Sequence, residues 1–124
     1  MSTIAVLGTL DTKGLERGYV AELIRQRGHQ TLIIDMGTGA PPQITPDIPR
    51  EVVASTGGVD LAGIVARQDR GEAVAAMAGA GAVLLSKLVA EGRIHGVISL
   101  GGGGGTAIGT AAMRALPVGF PKLM

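Results

Sequence analysis

The sequence predicts an α/β protein: a Rossmann-like, three-layer domain around a parallel sheet of about four strands. Two observations carry this. Short β-branched runs alternate with longer segments of helical period, as in doubly wound sheets. Two strand-like runs also end in glycine just before a helical segment, in "VLGTLDTKG" and "ISLGGGGGTAIGT". Aromatic residues make up only 2% of the 124, against 46% hydrophobic, so the core must be built from Val, Ile, Leu, Ala and Met. That composition suits close helix–sheet contacts.

The first strand is read at "TIAVLG" (3–8), an apolar β-branched run that ends in Gly. A loop, 8–14, leads to a helix whose Leu15, Tyr19 and Leu23 recur at four-residue spacing, with Val20 and Ile24 beside them. That stripe is the face expected to pack inward, and Gly28 is placed to end the helix. "TLIID" (31–35) is the second strand, which completes a right-handed βαβ unit. Residues 36–49 contain four prolines and continue no regular element.

"REVVAST" and "LAGIVARQ" read as short helices separated by Gly57 and Gly58. From Arg70 to Glu91 the set Val74, Met77, Gly81, Leu84, Leu85 and Leu88 keeps a helical period. The small residues between Ala73 and Ala82 invite close approach by another backbone, either the sheet or a partner subunit. A membrane span needs about 20 apolar residues, and "AVAAMAGAGAVLL" supplies 13, so a buried core helix is expected. "GVISLG" (96–101) is the third strand, "TAIGTAAMRAL" (106–116) a helix ended by Pro117, and 118–124 a fourth strand. The pattern breaks off there, so 1–124 is expected to be a single Rossmann-like unit cut from something longer. The first and third strands are expected side by side at the sheet centre.

Composition narrows the function. A net charge of +1 gives no reason for nucleic-acid or membrane binding. The absence of cysteine excludes disulfides, thiolate metal sites and a cysteine nucleophile. His29 and His95 lack metal-ligand spacing and precede strands, so both fall on the edge opposite to the ligand edge. No signal peptide is visible, and a cytoplasmic protein is the default.

Ligands of open parallel sheets bind beyond the carboxyl ends of the strands. Two loops fall there. The first, 8–14, offers Gly8, Thr9, Asp11, Thr12, Lys13 and Gly14; the second offers Gly102, Gly103, Gly104, Gly105 and Thr106. Helix N-termini and bare glycine backbone suit an anion. Lys13 is assigned to phosphate, and the Thr106 hydroxyl is an extra donor. Gly102, Gly104 and Ala107 satisfy a loose dinucleotide pattern, which any such glycine run would do. The Walker pattern is absent, since no Lys precedes Thr106. Asp11 is read as a magnesium or ribose ligand or as a helix cap. Asp35 stands where nucleotide-binding folds place a ribose-binding acid, and equally where a turn aspartate stands.

"VLGTLDTKG", "PDIPREVVA", "RGEAVAAM" and "GGGGGTAIGTAAMRALPVGFPKLM" together resemble the uncharacterised bacterial and plant family related to the tomato mosaic virus resistance protein. The resemblance implies a Rossmann-like domain, ATP (with magnesium) near the glycine loops, and a homodimer or higher oligomer. It also implies a second α/β domain and a barrel resembling phosphoenolpyruvate hydrolases. Inhibition of viral replication belongs to the plant–virus pairing and is not carried over. The family usually interrupts its glycine run with Ser, where position 103 here is Gly.

Three functions follow. The first is an ATP-binding module. The second is part of an ATP-dependent phosphotransferase or hydrolase completed elsewhere in a longer chain. The third is an oligomerisation domain without ligand. No nucleophile–base pair is visible, which favours the first.

Overall fold

The computed structural model describes residues 2–124; the surroundings of Gly103 and Gly104 lie outside the described residues. In chain order the elements are β1 (Thr3–Gly8), α1 (Leu10–Gln26), β2 (Gln30–Asp35), α2 (Arg50–Thr56), α3 (Leu61–Ala66), α4 (Arg70–Ala90), β3 (Gly96–Ser99), α5 (Gly103–Arg114) and β4 (Lys122–Leu123). All strand pairs are parallel, in the order β2-β1-β3-β4. β1 and β3 are neighbours, as expected. The register sets Gly8 opposite Asp35 and Leu7 opposite Ser99, so the ends of β2, β1 and β3 share one edge.

Alternation along the strands divides the core. Ala5, Leu7, Ile34 and Val97 face a large cluster built with α2, α4 and α5. Val6 and Ile33 face a smaller one that contains Leu10 and Ala21 of α1, with Ile44 of the proline-rich segment packed against it. A residue shift of one would exchange these faces, which fixes the register.

α4 is the helix among the described residues that is long and apolar enough to cross a membrane, with a mean hydropathy of 1.8 over its most apolar window. Here its residues Ala73, Met77, Ala80, Leu84 and Leu88 lie in the large core. Its small residues are used inside the domain. A Cβ on Gly81 would run into the Met36 side chain, and one on Gly57, the residue that ends α2, would run into Ala80. Of the two expected uses of that face, internal packing is the one observed.

α1 departs from expectation in two ways. It begins at Leu10, so most of the expected first loop is already a helical turn, with a kink at Lys13 (φ −126°, ψ 34°). Its buried line is Leu10, Gly14, Arg17 and Ala21. Leu15 and Tyr19, expected in the core, are 66% and 68% exposed, and Leu23 is exposed too. The helix turns its small residues inward because Gly14 must pass close to Gln43 (a Cβ would stand 2.8 Å from Gln43 Cβ). A larger side chain at position 14 would push the helix away from Gln43. α5 likewise starts earlier than expected, inside the glycine run, and β4 is shorter than the run 118–124.

Candidate functional site

The carboxyl edge carries a crevice of about 540 Å³ between the start of α1, the 101–105 turn and the facing ends of α3 and α4. Such a volume is in the range of small-molecule sites. Among the residues expected to bind, Thr9, Asp11, Thr12, Lys13, Gly102 and Gly105 line it. Gly8, Gly14, Asp35 and Thr106 do not. Gly103 and Gly104 lie outside the described residues beyond their place in α5.

Asp35 sits beneath the crevice, 1% exposed. Its Oδ1 accepts from the amides of Leu10 (3.2 Å) and Gly37 (2.8 Å), and its Oδ2 accepts from Arg50 Nε (3.1 Å). Arg50 donates onward to the carbonyls of Gly39 and Ala40. The carboxylate thus starts α1 and ties down the 36–40 turn, which leaves a ribose hydroxyl no free oxygen to reach. The turn-aspartate alternative describes this geometry.

The first loop spends its own donors. Gln43 Oε1 accepts from the amides of Gly14 (2.9 Å) and Leu15 (3.4 Å), capping α1 beyond its kink. Thr12 and Lys13 amides turn back to the Thr9 carbonyl. The Thr9 and Thr12 hydroxyls lie 3.0 Å apart, within hydrogen-bond reach of each other. Asp11 caps nothing in its own helix; its Oδ2 accepts from the Gly39 amide at 3.2 Å, and its Oδ1 is buried without a partner. Lys13 is exposed and only loosely paired with Glu16 at 3.8 Å, so its ammonium is available at the crevice.

Arg17 was missed from the sequence. It is 0% exposed, yet reaches the floor of the crevice between the two loops. Its Nη1 donates to the Thr9 carbonyl at 3.2 Å and its Nη2 to the Leu100 carbonyl, bridging the ends of β1 and β3. Its Nε is buried with no acceptor. Among the described residues no carboxylate stands within 4.0 Å of it. Burial pushes this guanidinium below its ordinary pKa, against the upward pull of Glu16, Asp11 and Asp35 at longer range. Gly8 is glycine because a Cβ there would coincide with the Arg17 guanidinium. The expected reason, ligand approach to bare backbone, is replaced by an internal one. The available signal was spacing: Arg17 continues the line of Leu10 and Gly14 toward Ala21.

The second loop is built differently. The N-cap of α5 is Gly102, which offers no side-chain cap, whereas α3 and α4 are capped by Asp60 and Asp69. The Thr106 hydroxyl donates to the Gly101 carbonyl at 3.1 Å, so it braces the turn and is not the expected extra donor. Gly102 has open space where its Cβ would be, and Gly105 has Arg17 Nη2 3.9 Å from that position. The two histidines stand at the other edge, where His95 Nδ1 accepts from the Thr3 amide at 3.0 Å.

Fold and crevice together define an α/β domain of Rossmann-like layout with an open site at its topological switch point. Residues 2–124 match the N-terminal domain of an uncharacterised protein family, UPF0261, and the chain belongs to that family. It is 42% identical over 121 residues to a UPF0261 protein of Clostridium tetani and 43% identical over 124 residues to one of Rhizobium meliloti. Those matches cover 98% and 100% of this chain and 30% of each relative. The chain therefore spans about a third of the length of these relatives. A shorter match, 47% over 55 residues, covers 44% of this chain and 7% of the tomato "ToMV susceptible protein tm-1(GCR26)".

Proposed function

We propose that this domain binds the phosphates of a nucleotide, ATP in the first instance, at the carboxyl-edge crevice. The single observation that carries the reading is Arg17: a fully buried guanidinium, held by carbonyls alone, under the uncapped start of α5. A buried charge without a counter-charge is costly, and an anion seated above it offsets that cost. The first turn of α5 supplies amides and the positive end of a helix dipole to the same anion. Lys13 closes the seat from the solvent side. Asp11 Oδ1, buried without an acceptor's usual partner, is the oxygen that a magnesium ion carried by the nucleotide would meet. No three acidic or histidine side chains gather as a metal site among the described residues, so the nucleotide would bring most of the ligands.

Thermal melting with and without Mg-ATP tests this. A ligand present at about 100 times its Kd stabilises the folded state by about 2.7 kcal/mol, so millimolar ATP should raise the midpoint clearly. Gly105→Ala should hold or raise the midpoint without nucleotide, since alanine favours a helix over glycine by up to about 1 kcal/mol. It should nevertheless weaken ATP, because its methyl stands between Arg17 and the seat. No shift of the wild-type midpoint at millimolar Mg-ATP would overturn the reading.

A further inference from the structure

The two faces of the sheet are covered unequally. α2, α4 and α5 pack on one face, in the large core. On the other face α1 stands alone among the described helices, over β1 and β2. The register shows what it leaves bare. Val6 pairs with Ile98 and Ile98 with Leu123, so these three side chains point to the α1 face. Val6 is buried there, Ile98 is half-buried, and Leu123 is 62% exposed. Exposure rises strand by strand away from α1.

The bare strip adjoins an apolar flank. Leu15, Tyr19 and Val20 of α1 and Leu100 after β3 line an open groove of about 650 Å³. Leu15 and Tyr19 are the side chains that α1 turns to solvent when it buries its smaller line. Neighbouring strands lie about 4.8 Å apart, so β3 and β4 present a strip about 10 Å wide, the diameter of one helix. All-parallel sheets occur almost only with both faces covered. A strip of this width calls for one more helix.

We propose that the strip and its groove seat an amphipathic helix from the part of the longer family chain that lies beyond this domain. Two observations select that occupant. Residues 2–124 match an N-terminal domain, and the matched stretch is 30% of each of two relatives, so most of each relative lies outside it. Handedness then narrows the source. α5 carries the chain from β3 outward to β4 on the large-core side. A next outward crossover of the same right hand would lay its helix on that side again. The cover therefore comes from a separate unit of the longer chain, not from a crossover helix next in line. Its apolar stripe meets Leu15, Tyr19, Ile98 and Leu123.

Tyr19 is the single tyrosine of the chain, so its nitration, followed by peptide mass spectrometry, reads this surface directly. The chain is grafted in place of the matching segment of the Rhizobium meliloti relative. Tyr19 should then be nitrated slower by roughly tenfold or more than in the 124-residue chain on its own. Leu15→Glu and Leu123→Glu change exposed positions, so each should leave the melting midpoint of the 124-residue chain unmoved. In the graft each should return nitration toward the free rate. Equal rates in the two proteins, or protection that neither variant relieves, would overturn the proposal. Protection in the 124-residue chain that grows with its concentration would also overturn it, by giving the surface to a second copy. If the graft fails to fold, carbene footprinting of the full-length relative decides. Its segment matched to 15–23 should be labelled clearly less than the segment matched to 25–29, which this fold also exposes; equal labelling overturns the proposal.

Discussion

The turns after β1 and β3 sit at equivalent places in the fold, each joining a central strand to a helix and each punctuated by glycine. Their surroundings differ. After β1, side chains from distant segments take up the helix amides: Asp35 holds Leu10, and Gln43 holds Gly14 and Leu15. Gly8 makes room for a guanidinium of the same domain. After β3, no side chain among the described residues caps α5, and Gly102 faces open space. Glycine before a helix thus has two physical settings, close internal packing or open space at the turn. Only the partners of the nearby amides tell them apart.

The largest effect that sharpens this contrast is expected for Asp35→Ala. It strips Arg50 of its partner and leaves the Leu10 and Gly37 amides without an acceptor. Breaking a buried pair of this kind costs about 3–5 kcal/mol. Denaturant unfolding should show that loss equally in the presence and absence of ATP. A stable variant that had lost affinity for adenosine would instead return Asp35 to the ribose.

A smaller effect, about 1–3 kcal/mol, is expected for Gly8→Ala, because the added methyl displaces a packed side chain. Combined with Arg17→Leu, the two costs should fall short of additivity by about 1 kcal/mol or more, as for residues in direct contact. Strict additivity in the double-mutant cycle would mean that Gly8 is kept for another reason.

The smallest effect on stability belongs to Lys13→Ala, an exposed position whose change should move the unfolding free energy by no more than about 0.5 kcal/mol. Its effect should appear in binding: ATP weakened more than adenosine, and more so at low salt, where the ammonium is least screened. Equal loss for both ligands would move Lys13 away from the phosphates and erase one difference between the loops.

Much of the architecture is legible in the chain, because strands and core helices are written in local periodicity. "TIAVLG", "TLIID" and "GVIS" are apolar and β-branched whatever surrounds them, and α4 carries its buried line in its own spacing. The neighbouring of β1 and β3, and hence the meeting of the two loops, follows from the alternation of elements. The facing of α1 does not. Leu15, Tyr19 and Leu23 make the stronger apolar stripe, yet the line turned inward is Gly14, Arg17 and Ala21. Steric closeness to Gln43, 29 residues away, decides that rotation. The role of Arg17 is equally non-local, since a guanidinium is buried only where carbonyls satisfy it, and one of those belongs to Leu100. Sequence by itself determined which segments are strands and helices and which edge carries the two glycine turns. Tertiary structure decided that the amides after β1 are taken up by Asp35 and Gln43, because a hydrogen bond between distant residues leaves no trace in local periodicity.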